Sequence, residues 1–505
     1  MNMNKNKPIV WTISGHDPSG GAGIAADLRT IHCFAVEACA FITANTVQNS
    51  EELLTINPVD IKILEQQYQL LIEDKLPDAI KIGMVATDEQ IYWLIEKIAE
   101  LKADNVNLVV VYDPVAAATV GGVTTEVTKD ALHHLFSVID VLTPNMTEAE
   151  KLTGIYLGAV DDIADKFSTF GINNTVIKGG HTDEEFCVDY GYQFSEPKQL
   201  RSKYSISSER INTDYTHGGG CSFASAIAAL LSKGYLLRDA LTITKAFMQQ
   251  GMIANDGRIQ YYGAFEQTEL PTKPSIFPQI ELTQPLLSYP TSPFAELGMK
   301  RDGNQSLGLY PVVDSIEWLE KLLPLELTII QLRVKNKPEN ELDAIIERAV
   351  ELANNYPNTR LFINDHWQLA IKHRAYGIHL GQEDIYQADL AKIQQSGIRL
   401  GISTHGIYEF LLAQQLKPSY LAIGAIFPTK TKDMTGQIQG LTNLKQILNI
   451  STDIPVVAIG GINLTNASDV WSTSVDSIAV VTAITQAECY IEATKRLKAI
   501  ANNYI

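Results

Sequence analysis

The residues of this chain best suited to chemistry lie in two glycine clusters of its first half and in short polar loops of its second. Residues 15–23 read GHDPSGGAG, directly after an apolar run and before a helix-like one. Glycines there let the backbone approach a ligand closely, and a helix N-terminus offers unpaired N–H groups. A tight loop is the plain alternative, and no GK[ST] follows that would make the segment a P-loop. The second cluster, THGGGC at 216–221, opens the apolar run SFASAIAALL. The backbone N–H groups of Gly218, Gly219 and Gly220 suit the charge that develops on a transferred phosphoryl group. Cys221 sits at the same positive helix end, where a thiol pKa is expected to fall and the group to act as a base. An isolated cysteine would read as a buried small residue; the glycine nest favours the base. Asn145 and Glu148 in PNMTEAE could hold magnesium through water, or simply cap a helix. Lys178, at a strand end before a glycine pair, suits a phosphate, with a solvated lysine as the alternative.

In the second half, alternation places Gln331, Arg333 and Lys335 (QLRVK) on one face of a strand end. Two cations there call for an anion, or else form a plain ion-pair face. Asn364 and Asp365 follow the next strand, and Asp384 closes HLGQED after the one beyond. Two carboxylates from adjacent strand ends make a reasonable magnesium site, although either alone could cap a helix. The stretch 428–432 (PTKTK) supplies hydroxyls and amines that grip a diphosphate, and Gly460-Gly461 forms a phosphate-type turn. Val481-Thr482 follows the last strand. No nucleophile is evident in this half, because Cys489 falls in the last helix, away from the strand ends.

These residues need elements to hold them. In the first half, β-branched runs at 9–14, 38–43, 79–82, 108–112, 138–142 and 175–178 alternate with amphipathic stretches such as Ile61, Leu64, Tyr68 and Leu71. Such a pattern predicts a parallel sheet covered by helices on both faces. A hairpin follows at 187–192 and 203–206, then two helices from about 218 and 237. Prolines gather between 260 and 302, which marks a linker over 266–304 with a short helix near Phe294–Met299. The domains are therefore expected at 1–265 and 305–505. The second contains apolar runs at 307–313, 327–334, 360–364, 377–380, 399–402, 420–426, 456–459 and 477–481, each followed by a plausible helix. Leu342, Ile345, Ile346, Ala349 and Val350 form one helical stripe. That succession predicts a (β/α)₈ barrel, with the polar loops at its C-terminal face.

Bulk properties narrow the field. A chain of 505 residues suggests roughly two to four domains. With 45% hydrophobic and 19% charged residues it is an ordinary globular protein. A formal net charge of -18 with no basic tract argues against nucleic-acid or anionic-membrane partners. Five unpatterned cysteines (33, 39, 187, 221 and 489) fit a reducing cytoplasm. Neither a signal peptide nor a membrane span is expected.

The motifs DPSGGAGIAADLRT, ITANTVQNS, KIGM, DPV, TPNMTEAE, KGGH and HGGGC occur in the order found in hydroxymethylpyrimidine/phosphomethylpyrimidine kinases, and residues 8–260 resemble that ribokinase-like family. The resemblance implies an α/β sandwich in which Cys221 is the base and Gly218–Gly220 the anion hole. Lys178, Asn145 and Glu148 would serve ATP and Mg²⁺, while Gly15, Asp17, Gln48, Met84 and Val115 would line the pyrimidine pocket. This chain departs from the family where Gly219 replaces threonine and where AAATVGG stands for a Lys-Ser-Gly flap after DPV. Residues 305–505 resemble thiamine phosphate synthase through QLRVK, INDHW, HLGQED, GISTH, FPTKTK, AIGGI and VVTAI, again in order. There Gln331, Arg333, Lys335, Asn364, Ser403 and Lys432 would hold the pyrimidine diphosphate and Asp365 and Asp384 the Mg²⁺. Thr429, Thr431, Gly461, Val481 and Thr482 would seat thiazole phosphate, Thr482 standing for the more usual serine.

The implied activity is successive phosphorylation of hydroxymethylpyrimidine by ATP, then condensation of its diphosphate with thiazole phosphate, by a cytoplasmic homo-oligomer taken to be a dimer. Two rivals are a kinase half that acts on pyridoxal, and one half decayed into a non-catalytic binding module.

Overall fold

The computed structural model describes residues 7–49, 52–114, 125, 127–179, 185–255, 263–282, 284–297, 307–429 and 438–504. The chain divides into two compact units, residues 1–271 with 275–283, and 272–274 with 284–505.

The first unit is built on ten strands: β1 (Ile9–His16), β2 (Glu37–Gln48), β3 (Leu53–Pro58), β4 (Ala79–Ile82), β5 (Val109–Tyr112), β6 (Val141–Leu142), β7 (Asn174–Ile177), β8 (Phe186–Glu196), β9 (Gln199–Glu209) and β10 (Gln279–Glu281). They run in the order β10-β9-β8-β7-β6-β5-β4-β1-β2-β3. The six strands from β2 to β7 in that order pair in parallel. β3 and β8–β10 pair antiparallel, so the sheet is mixed rather than simply parallel. β3 escapes the periodicity because five of its six residues are half-buried or exposed and it ends on proline. β10 comes from the proline-rich segment read as linker; backbone pairing with β9 and burial of Ile280 hold it there.

Helices cover the sheet as their patterns predict. Helix Ile61–Asp74 buries Leu64 and Tyr68. Helix Gly219–Ser232 buries nine consecutive residues from Ser222 to Leu230, six of them alanine or serine, and small side chains let it lie close against the central strands.

The second unit is a closed parallel barrel of β11 (Gly308–Val313), β12 (Ile329–Leu332), β13 (Arg360–Asn364), β14 (Gly377–Leu380), β15 (Arg399–Thr404), β16 (Tyr420–Ile423), β17 (Val456–Ile459) and β18 (Ser477–Val480). All eight coincide with the apolar runs. Tyr310, Ile329, Phe362, Tyr420, Val457 and Ala479 fill the interior as a packed core. Residues 284–297, also read as linker, belong to this unit: Leu297 joins the barrel core and Ser419 Oγ donates to the Ala295 carbonyl at 2.6 Å. Residues 294–297 are not helical, contrary to the expected short helix, while 298 and 299 lie outside the described residues. Among the described residues no helix is long and apolar enough to cross a membrane.

Candidate active sites

In the first unit the two glycine clusters, more than 190 residues apart in sequence, pack against each other. A Cβ on Gly218 would stand 1.9 Å from the Gly21 carbonyl oxygen, and one on Gly21 would stand 2.3 Å from the His217 ring. Gly218 also holds φ +77 as N-cap of the helix, so glycine is required there twice over. Asp17 ties the junction. Its carboxylate accepts from the Ser19, Gly21 and Ala22 backbone and lies 3.2 Å from His217 Nε2. Burial would raise this carboxyl, but the hydrogen bonds from His217, Ser19 and Ala22 outweigh it and hold it well below the usual range. Gly15 lies against Met84, whose sulfur would be 2.9 Å from a Cβ there. Gln48, half-buried, ends β2. Val115 and the AAATVGG segment lie outside the described residues.

Deeper in, Lys178 donates to Asp113 at 2.8 Å, and Gly220 faces this pair, 3.2 Å separating the Asp113 carboxylate from a Cβ placed on it. Asn145 and Glu148 form a capping box: Glu148 accepts from the Asn145 backbone at 2.8 Å and Asn145 from that of Glu148 at 2.9 Å. Thus the capping role is real, and Glu148 also feels Lys178 and Asp113 electrostatically. Burial, with Asp113, pushes its carboxyl up to about 7 against the pull of Lys178.

Cys221 corrects the expectation drawn from its helix position. Burial, with Asp27 and Asp113, pushes its thiol up to about 11, and Lys81 and the Gly23 N–H offset only part. A helix end contributes about half a charge, less than two carboxylates in a dry setting. Below the cysteine lies a buried pair the motifs did not announce: Lys81 donates to both Asp27 oxygens at 2.9 and 2.8 Å, and Thr12 and Ser225 donate to the same carboxylate. Burial opposes the Lys81 charge, yet Asp27 holds it above the usual lysine range.

In the barrel the predicted residues gather at the C-terminal ends of the strands. Lys335 donates to Asp365 at 2.7 Å, and Asp365 adopts φ +65 just beyond β13. Asp384 accepts from the Gly381 N–H at 3.0 Å, and burial together with Asp365 raises its carboxyl. Two carboxylates crowded so closely suit a divalent cation, which removes their repulsion. Gln331 and Asn364 are buried, Arg333 and Ser403 half-buried. Gly461, at φ +67, packs on Phe427 and Pro428, leaving 2.7 Å for a Cβ, and so brings the turn after β17 against the segment that leads into Thr429. Val481 precedes the short helix Thr482–Thr485. Lys430, Thr431 and Lys432 lie outside the described residues. Cys489 is exposed, immediately before the helix Tyr490–Asn502.

Sequence reasoning missed Asp113 and His379. Both stand inside quoted motifs, DPV and HLGQED, and a polar residue at a strand's C-terminal end was the available signal. His379 Nε2 contacts Ser403 Oγ at 2.7 Å, and burial, aided by Arg333 and opposed by Asp365, holds the imidazole down near 4.

The fold pairs a mixed-sheet α/β unit with a closed eight-stranded parallel barrel. A family model described as phosphomethylpyrimidine kinase matches residues 17–264, and one described as thiamine monophosphate synthase matches residues 309–484. The thiamine-phosphate synthase of Salmonella typhimurium is 52% identical over 213 residues, 42% of this chain and 95% of that protein. That of Proteus mirabilis is 54% identical over 193 residues, covering 38% and 89%. Among solved structures, an ADP complex of Bacillus subtilis pyridoxal kinase is 31% identical, covers 52% of this chain and 98% of its own, and has a TM-score of 0.45. The chain belongs to the thiamine-phosphate synthase family and carries a phosphomethylpyrimidine kinase domain ahead of the barrel, as a bifunctional transferase of thiamine biosynthesis.

Proposed function

We propose that the first unit uses ATP to phosphorylate hydroxymethylpyrimidine and then its monophosphate. The barrel joins the resulting diphosphate to thiazole phosphate, releasing inorganic diphosphate. The observation that supports this most is the juxtaposition in each matched domain: Lys178 beside Gly220 of the glycine nest, and Lys335 paired with Asp365, which also faces Asp384.

In the kinase unit Gly15, Asp17, Gln48, Met84 and Val115 receive the pyrimidine, and the Gly218–Gly220 N–H groups face the phosphoryl group in flight. Lys178, Asn145 and Glu148 serve the ATP phosphates and magnesium. Cys221 takes the hydroxymethyl proton. Its high resting pKa makes the thiolate scarce at neutral pH but strongly basic once formed, and Lys81 is a counter-charge that favours it.

In the barrel Gln331, Arg333, Lys335, Asn364, Ser403 and Lys432 hold the pyrimidine diphosphate. Thr429, Thr431, Gly461, Val481 and Thr482 seat the thiazole phosphate. Asp365 and Asp384 would hold magnesium, which neutralises diphosphate oxygens and draws charge onto the leaving group. An electron-rich aminopyrimidine supports a benzylic-type cation when its diphosphate is gripped by Arg333, Lys335 and Lys432, so the barrel needs no protein nucleophile. The enzyme is proposed to work in the cytoplasm as a homodimer, a state that light scattering would test.

One incubation of the purified chain with hydroxymethylpyrimidine, thiazole phosphate, ATP and Mg²⁺ should yield thiamine phosphate. Failure there, with success when the pyrimidine diphosphate is supplied, would overturn the kinase assignment alone. Phosphorylation of pyridoxal in strong preference to hydroxymethylpyrimidine would replace the substrate.

A further inference from the structure

A line of hydrogen-bonded side chains crosses the barrel interior and joins two residues of the proposed pyrimidine diphosphate site. Gln331 on β12 donates from Nε2 to Tyr310 Oη at 3.2 Å. Tyr310 on β11 meets Tyr420 on β16 hydroxyl to hydroxyl at 2.9 Å. Tyr420 Oη lies 2.7 Å from His379 Nδ1, and His379 Nε2 lies 2.7 Å from Ser403 Oγ. The Gln331 amide lies against Tyr420 as well. Both phenols are essentially inaccessible, at 1% and 0% exposure, whereas Ser403, next to last in β15, is half-buried.

Packing alone does not call for these polar atoms. Two phenylalanines would fill the same space, and replacing both members of a buried hydrogen-bonded pair by apolar groups is often nearly neutral. The barrel also gives up a side chain to fit the line in. A Cβ on Gly401 of β15 would stand 2.2 Å from the Tyr420 ring and 2.5 Å from its hydroxyl.

Proton bookkeeping leaves the line two self-consistent directions, because a neutral imidazole donates from one nitrogen and accepts at the other. With the Gln331 nitrogen turned inward, Tyr310 donates to Tyr420, Tyr420 to Nδ1, and Nε2–H to Ser403. The Ser403 proton is then free to donate into the barrel mouth. With the amide turned over, every bond reverses, Ser403 donates inward, and only its lone pairs face the mouth. Resting on the site reading given above, we propose that Tyr310, Tyr420 and His379 are positioning residues that couple Gln331 to Ser403. The orientation Gln331 takes against the pyrimidine sets whether Ser403 meets the substrate as donor or acceptor.

The test uses the full chain, supplied with pyrimidine diphosphate so that the kinase is bypassed. Tyr420→Phe, which touches neither Ser403 nor the barrel mouth, should lower kcat about tenfold, the worth of one hydrogen bond made in the transition state. The KM for thiazole phosphate should stay unchanged, whereas a merely loosened barrel would shift it. Ser403→Ala should lower kcat at least as much, and Tyr420→Phe/Ser403→Ala should fall no further than Ser403→Ala alone. His379→Asn breaks the same line on its other side and should show the same non-additivity if Tyr420→Phe folds poorly. Independent, multiplying losses in the double variant would overturn the coupling while leaving the site reading intact. Unchanged kcat in Ser403→Ala would sink the site reading and the coupling with it.

Discussion

The two sites handle the same pyrimidine phosphates with opposite electrostatic designs. The kinase unit keeps charge inside as the ion pairs Lys178–Asp113 and Lys81–Asp27, set among glycine turns, with His217 hydrogen-bonded to Asp17. In the barrel the interior holds hydroxyls, an amide and an imidazole kept uncharged by burial, while Lys335, Asp365 and Asp384 stand at its mouth. A phosphoryl transfer needs donors and a base arranged around one moving group, so loops from several strands must converge there. A dissociative condensation needs a gripped leaving group and a dry, uncharged floor beneath the cation. On the roles proposed above, buried charge accompanies the proton transfer and a neutral interior the condensation.

Cys221→Ala is the strongest way to break that contrast. Loss of a general base should cut phosphorylation by on the order of 10²- to 10⁴-fold and leave condensation from supplied pyrimidine diphosphate untouched, as assayed by separate half-reactions. A kinase that kept its rate would remove the base from the first site. Next in size, Asp384→Asn should raise the Mg²⁺ needed for half-maximal condensation roughly 10- to 100-fold, by analogy with other disturbed metal shells. The kinase's Mg²⁺ dependence should not move. Chelation should silence both reactions.

The thiol itself can be read directly. With its pKa near 11, Cys221 should alkylate slowly with iodoacetamide at pH 8 and keep accelerating beyond pH 9, as followed on its own peptide by mass spectrometry. A plateau below pH 8 would mean that a thiolate is present at rest.

Asp17 sharpens the comparison through stability. Its folded-state pKa lies below the unfolded value, so its contribution is present above the ordinary carboxylate pKa and is lost as pH falls through that value toward the folded one. Denaturant unfolding of Asp17→Asn should therefore show a deficit at pH 7 that narrows by pH 3. The smallest effect expected is at Gly219, where among the described residues a Cβ meets only the Met248 terminal methyl at 3.6 Å. Gly219→Ala should stabilise the kinase unit by about 0.4–1 kcal/mol with its N–H retained, and phosphorylation should persist.

Much of this was legible in the linear order of residues. All eight barrel strands followed from apolar runs, because a parallel strand buried on both faces must be apolar throughout. The polar loops marked the mouth for the complementary reason, that barrel strands end where chemistry is exposed. Edge strands β3 and β10 were not legible, since half-exposed residues carry no period and backbone pairing decides them. Nor was the reach of residues 284–297 into the barrel's own packing, where Leu297 found a core that a proline-rich stretch does not advertise.

Sequence alone determined the two architectures, the order of the motifs and the residue types at each mouth, because these follow from local periodicity and from chemistry carried by single side chains. Only the tertiary structure decided protonation and pairing. Cys221 is raised rather than lowered because Asp27 and Asp113, 194 and 108 residues earlier, share its buried neighbourhood. The line from Gln331 to Ser403 exists because five strands of one closed barrel point their side chains at a common axis. Charge burial and hydrogen-bond direction are properties of neighbours in space, and chain order does not carry them.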